Sequence, residues 1–291
     1  MLLTKIFYEV DNFCKSFIEV NKLMDCKRRG PMRSLTESEI LTILIYFHCS
    51  GKRTFKDYYL TYIKGFLSKA FPEAPSYNRF IELIPGAAKY LFIFINYSRL
   101  GAHTGIGYID STPLAVCHNL RIYSNKVFKG IAERGKTSTG WFYGFKLHLI
   151  INEYGEITAF DLTSGNIDDR NKKVIKKLLK YFHGKLFGDR GYLSKSLFKE
   201  LYEKGITLFT RVKKGMKNVL LSFEDKMYLS KRGVIEAVNG LLKSECQIEH
   251  TRHRSPVNFF VNLISGLIAY SFRDKKPCIK RSLDQQIACA K

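Results

Sequence analysis

The spacing of apolar positions changes near residue 100. Before it they recur every three or four residues: Ile6, Val10, Phe13 and Phe17 share one helical face, and Ile40–Phe47 is an apolar helical run. Ser34-Leu-Thr-Glu37 reads as a capping box opening that second helix, and Gly51 as its end. Pro72, Pro75 and Pro85 punctuate the chain before another buried segment, Tyr90–Ile95. The pattern predicts an all-α N-terminal domain over 1–100, suited to DNA-end binding or dimerisation.

From about residue 106 the pattern becomes that of strands. Ile106–Asp110 is a short strand ending on an acid, Gly144–Ile151 alternates, and Glu153-Tyr-Gly155 turns the chain into Ile157–Leu162. Asp168 and Asp169 open a helix that gains lysines toward its end, as the helix dipole favours. Lys185–Gly188 is a strand delivering Asp189, Ser194–Lys204 a helix, Ile206–Val212 a strand and Ser230–Cys246 a helix. This β-β-β-α-β-α-β-α order predicts an α/β domain over 101–273: a mixed five-stranded sheet flanked by helices, in the RNase H-like layout. The basic stretch 274–291 lacks periodicity and reads as a mobile tail.

Charge narrows the function classes. The 291 residues carry 48 Lys and Arg against 26 Asp and Glu, a net charge of +22, and the excess runs through both parts of the chain. Such a surface attracts a phosphate backbone. Seven cysteines without a C-x-x-C pair, and no evident secretion signal, suggest reduced thiols in the cytoplasm. Cys246, His250 and His253 form the one cluster with zinc-ligand character, and no fourth ligand is evident nearby. No run approaches the roughly 18 unbroken apolar residues of a membrane span.

In the last predicted helix Arg232, Glu236, Asn239 and Lys243 line one face, opposite Val234, Ile235, Val238, Leu241 and Leu242. A carboxylate in a basic stripe suits a metal ion beside a polyanion. Asp110 and Asp189 each close a strand and could join Glu236. Three converging carboxylates repel one another unless cations neutralise them, and oxygen donors select Mg2+ or Mn2+. Two such ions would serve in-line attack on phosphorus.

Plainer roles exist for each acid: turn capping for Asp110 and Asp189, and an i,i+4 pair with Arg232 for Glu236. Asp161, Asp168, Asp169, Glu224 and Glu245 compete for the same duty. His148 reads as a packed strand residue. Trp141, Phe142, Tyr143 and Phe145 read as core, with base stacking as the lesser alternative. Arg252, His253 and Arg254 occupy a polar connection suited to phosphate contact.

The strings Tyr-Ile-Asp110-Ser-Thr-Pro-Leu, Gly188-Asp189-Arg-Gly-Tyr192 and Arg232-x-x-x-Glu236-x-x-x-x-x-x-Lys243 resemble the signature segments of the DDE transposases of bacterial insertion sequences. Ser76-Tyr-Asn-Arg-Phe80, Val116-Cys-His-Asn119, Phe128-Lys-Gly-Ile-Ala-Glu-Arg-Gly135, Gly140-Trp-Phe-Tyr-Gly-Phe-Lys-Leu-His148 and Gln247-Ile-Glu-His-Thr-Arg-His-Arg-Ser255 are similar to the insertion-sequence nine-eighty-two family. The similarity runs from about residue 35 to 276.

The resemblance implies a metal-binding catalytic triad of Asp110, Asp189 and Glu236 with two Mg2+ or Mn2+ ions. It also implies DNA contacts by Arg232 and Lys243, to which Arg190, Arg252 and Arg254 are added as candidates. Related families place a Tyr two residues before the Arg, whereas Tyr228 has three residues between it and Arg232. The implied activity is binding of terminal inverted repeats, DNA cleavage and strand transfer, by a homodimer or larger assembly holding transposon ends and target duplex. A structure-selective endonuclease on the same fold and a non-catalytic DNA-binding remnant are the alternatives.

Overall fold

A computed structural model describes residues 2–21, 34–138, 140–192, 194–211, 220–250 and 253–279. The chain divides into two compact units, one of 1–99 with 242–273 and the other of 100–241 with 274–291.

The first unit is helical where described. It contains α1 (Leu2–Asn21), α2 (Glu37–Phe47), the short α3 (Phe55–Tyr58) running on as a π-helix to Phe66, and α4 (Tyr77–Phe94). The capping box lies two residues later than expected: Thr36 Oγ1 accepts from the Glu39 amide, and the Glu39 carboxylate accepts from the Thr36 amide. Pro85 sits inside α4 instead of interrupting it. Ile40, Leu44, Phe47, Tyr58, Phe80, Leu91 and Phe94 are buried, and Phe47, Phe55, Tyr58 and Phe80 form an aromatic cluster in which Phe55 meets Phe47 edge-on and stacks on Phe80. By length and composition Tyr77–Arg99 would pass for a membrane span. Its apolar face is instead buried against α2 and against the long C-terminal helix Pro256–Ser271.

The second unit holds a six-stranded mixed sheet, one strand more than expected. The strands are β1 (Ile106–Cys117), β2 (Glu133–Thr137), β3 (Gly140–Ile151), β4 (Ile157–Ser164), β5 (Gly184–Gly188) and β6 (Ile206–Thr210). β3 pairs antiparallel with β1 on one edge, and with β2 and β4 end to end on the other. β1, β5 and β6 run parallel. The additional strand β2 carries Glu-Arg-Gly-Lys-Thr, whose polar composition hides it from a hydrophobic pattern. β1 also continues well past Asp110. Its pairing with β5 ends at Tyr108, so Pro113 falls beyond the β5 ladder, where a missing N–H is tolerated.

Helices α5 (Lys172–Leu178) and α6 (Lys195–Tyr202) follow β4 and β5. They bury Val174, Ile175, Leu178, Leu197 and Leu201 with Ile109, Ile150, Leu186, Ile206 and Leu208 of the sheet. Asn171 caps α5, accepting from the amides of Lys173 and Val174, so Asp168 and Asp169 lie in the preceding turn and not in the first helical turn. Toward the other face, α7 (Phe223–Ser230) brings Tyr228 against Phe187, which stacks between Tyr108 and Phe209. Tyr108 donates its hydroxyl to the Tyr228 carbonyl at 3.2 Å. The helix expected over 230–246 begins three residues later, as α8 (Gly233–Ser244), after a turn at Lys231 and Arg232, and α7 ahead of it is not expected from the sequence. The C-terminal helix, α9 (Pro256–Ser271), follows.

The tail is partly anchored: the Ile279 amide donates to the Glu153 carbonyl at 2.9 Å and Ile279 is buried. Residues 280–291 of the predicted tail, and Val212 of the predicted last strand, lie outside the described residues.

Gly144 marks the closest approach of β3 to β1. A Cβ there would fall on the Leu114 carbonyl, far inside van der Waals contact. Gly144→Ala is therefore expected to lower stability by about 1–3 kcal/mol, read as a reduced denaturation midpoint in urea.

Candidate active site

Parallel pairing of β1 with β5 runs from Ile106↔Lys185 to Tyr108↔Phe187. Asp110 and Asp189 each follow two residues after that last pair. The register thus carries two carboxylates to equivalent positions on adjacent strands, whose spacing is about 4.8 Å. Helix α8 completes the group. Asn239 Nδ2 donates to Asp110 Oδ2 at 3.1 Å, and Glu236, one turn earlier, shares that helical face.

Arg232 ties the acids together. Its guanidinium lies 2.6 Å from Glu236 Oε1 and 3.8 Å from Asp189 Oδ1, and its side chain is only 17% exposed while those of Asp189 and Glu236 are 54% and 58% exposed. The three predicted acids therefore gather where the parallel ladder between the interior strands β1 and β5 ends. Arg232 stands between two of them, in the turn before α8 and not on the helix itself.

Burial pushes the Asp110 carboxyl up to about 6. The Ser111 backbone hydrogen bond and Arg232 oppose the rise, and Glu236 and Asp169 add to it. Asp169, given a helix-start role by the sequence, instead accepts from Ser111 Oγ at 2.8 Å and Lys146 Nζ at 3.1 Å. Lys146 also donates to the Ile167 carbonyl at 2.9 Å, which leaves its side chain 12% exposed. Sequence reading missed this Ser111–Asp169–Lys146 linkage. Its signal was a lysine between apolar neighbours, Phe145 and Leu147, within β3.

The competing acids have other partners: Asp161 with Lys177, Asp168 with Arg170, Glu224 with Lys185, and Glu245 with Arg273. His148 is buried with Nε2 2.9 Å from Thr163 Oγ1, and burial lowers its pKa. Tyr228 is core, against Phe187.

Arg190 is exposed, starts the turn after Asp189, and lines a groove of about 560 Å³ with Lys146, Asp169 and Trp141. Trp141 departs from the expected core role: Phe142, Tyr143 and Phe145 are buried, but the indole is 61% exposed. Lys243 lies in the helical unit and pairs with Glu249 at 2.9 Å. Arg254 is exposed there, and Arg252 lies outside the described residues.

The zinc-like cluster resolves into packing. His250 and His253 rings stack at 3.6 Å, and burial pushes the Cys246 thiol up to about 12. Nor do three Asp, Glu, His or Cys side chains anywhere among the described residues already stand at metal-holding spacing. The donor set around Asp110 nevertheless fits a hard divalent ion. It is all oxygen, and burial leaves the charged form of Asp110 short of compensation.

Residues 100–256 match the family model described as Transposase DDE domain. The piggyBac transposase of a synaptic complex with hairpin DNA is similar over 92% of this chain and 72% of that one, at 12% identity and a TM-score of 0.48. No curated protein matches.

A carboxyl pKa raised above its unfolded value destabilises the fold as pH climbs through the interval from about 3.8 to about 6, and the full cost persists above it. Asp110→Asn removes that cost. Its melting temperature at pH 8 in EDTA should exceed that of the wild type, with the difference vanishing near pH 3.5. A lower melting temperature at pH 8 would contradict the burial account.

Proposed function

The chain belongs to the Transposase DDE domain family, and from that premise we propose that it binds the terminal inverted repeats of an insertion sequence, cuts DNA at the element's ends and joins the freed 3′-hydroxyls to target DNA. The convergence of Asp110, Asp189 and Glu236 just beyond the end of the β1–β5 parallel ladder carries this reading. The strand order, four strands in antiparallel pairings followed by two that run parallel to β1, with helices on the sheet, supports an RNase H-like catalytic unit. The strings quoted above favour the insertion-sequence nine-eighty-two family within the wider group.

Asp110, Asp189 and Glu236 would hold two Mg2+ or Mn2+ ions. Such ions polarise an attacking oxygen and stabilise a leaving one. The protein's own share is electrostatic. Asn239 holds one Asp110 oxygen by hydrogen bond and so fixes the carboxyl orientation. Arg232 limits repulsion between Asp189 and Glu236 and offers a cation to the phosphate. Arg190, exposed beside Asp189, is placed to meet a strand entering from the groove.

Lys243, Arg252 and Arg254 would contact duplex DNA outside the catalytic unit, with the helical unit contributing to end binding or to a homodimer. Work on chromosomal DNA implies the cytoplasm, at the nucleoid.

Asp110→Asn, Asp189→Asn and Glu236→Gln should each lower cleavage and strand transfer by on the order of a thousandfold, measured on labelled element-end duplex in Mg2+. Gel-shift binding to the same duplex should persist. A Glu236→Gln protein cutting at the wild-type rate would remove the site assignment, and cutting without strand transfer by the wild type would return an endonuclease. Independently of activity, Mg2+ should raise the melting temperature of the wild type but not that of an Asp110→Asn, Asp189→Asn double variant.

A further inference from the structure

Strand β2 exists to carry a hairpin, and the hairpin presents an indole. Across the β2–β3 pair Lys136 faces Trp141, with Lys136 Nζ 5.6 Å from the ring centroid. Directly opposed residues share a face, so both side chains stand on the same surface of the ribbon. Trp141 is 61% exposed although the other three aromatics of its strand are buried. The exposed ring leaves an apolar face open to a planar partner.

The presentation is rigid. Asn119 Nδ2 donates to the Trp141 carbonyl at 2.7 Å. Gly135 packs against the Gly165 carbonyl so closely that a Cβ has no room, and a Cβ on Gly165 would stand 2.6 Å from the Glu133 carbonyl. The hairpin is thereby locked backbone to backbone onto the end of β4.

Charge surrounds the ring. Arg134, Lys136, Lys146, Arg170 and Arg190 line the groove beside Trp141, against two carboxylates, Asp168 and Asp169. Those acids are paired with Arg170 at 2.9 Å and Lys146 at 3.1 Å. Trp141 also borders a smaller recess of about 330 Å³ with Asn119, Ile122 and Arg134. The Arg134 guanidinium lies 5.7 Å from the ring centroid of Tyr123, itself exposed. A flat aromatic face flanked by cations fits a polyanion whose units carry flat rings.

We propose that the β2–β3 hairpin and its groove bind unpaired DNA, with a base stacked on Trp141 and its flanking phosphates met by Arg134, Lys136 and Arg190. Unpaired DNA is selected over duplex because base faces within a helix are already covered by their neighbours, whereas a single strand offers them to an indole. The groove also contains Arg190 and Gly191, which directly follow Asp189, so a strand lying in it leads to the carboxylates. This deepens the DNA-cutting reading, on which it rests for its biological setting but not for its test.

Trp141 is the only tryptophan in the chain, so its emission reports on this one position. Full-length protein in EDTA would be titrated with end-labelled oligo(dT) of about 16 nucleotides, a length on the scale of known single-strand sites. Anisotropy would follow binding and tryptophan emission would follow stacking. The expected result is quenching that tracks binding, with roughly tenfold weaker affinity for Trp141→Ala and near-normal affinity for Trp141→Phe. An abasic oligomer of equal length should bind weakly and leave emission unchanged. Arg134→Ala should flatten the slope of log affinity against log salt.

Binding without any change in emission, equal quenching by the abasic strand, equal affinity of Trp141→Ala, or no binding to oligo(dT) at low salt would each overturn the proposal. Because EDTA removes divalent-ion chemistry, these outcomes are independent of whether Asp110, Asp189 and Glu236 cut DNA.

Discussion

The three-residue ladder between β1 and β5 is the contact on which the candidate site depends. Parallel strands pair in a fixed register, and this register brings Asp110 and Asp189, separated by 79 residues of chain, to matching positions on neighbouring strands. Like charges so placed oppose folding. The protein holds them because the strands beneath are buried on both faces: Ile109 and Leu186 under α5 and α6, Tyr108 and Phe187 beside Tyr228 of α7. Apolar packing supplies the free energy that burying the Asp110 carboxylate beside Glu236 and Asp169 consumes.

What the carboxylates lack in cations the protein provides in part. Arg232 sits between Asp189 and Glu236, and Lys146 is committed to Asp169. Asp110, the most enclosed of the acids, receives a neutral amide from Asn239 and is left with its ionised form disfavoured. A site with exposed acids at its rim and a protonation-prone acid at its centre is poised to gain from a small, hard cation, and the same feature makes its stability and its chemistry opposed.

The helical unit follows different physics. Its polar groups are enclosed by apolar side chains instead of being gathered for chemistry: His48 Nδ1 meets the Cys246 carbonyl at 2.5 Å, and burial lowers the pKa of His48 to about 4 and that of His253 to about 3. Neutral imidazoles packed in this way serve as shaped, hydrogen-bonding core residues. Of the residues that look like metal ligands in the sequence, Cys246 is part of that core, and His250 and His253 stack on each other half-buried beside it.

Hydrophobic period alone separates the helical first hundred residues from the strands that follow, and it identifies five of six strands, because burial of one face imposes a repeat that composition cannot disguise. It misses β2, which is polar and held by pairing to β3, and it misses α7, a short polar helix that buries Tyr228, so that only α8 is anticipated in that stretch. Asp189 is legible as an acid closing a strand and Glu236 as one on a charged helix face, while Asp110, read as a strand end, lies inside the longer β1. That Arg232 bridges two of them, that Asp169 turns to Lys146 and Ser111, and that Trp141 faces water depend on side chains meeting across strands distant in sequence. Periodicity is a property of neighbours along the chain. Contacts of that kind are created by register and packing, which only the folded sheet defines.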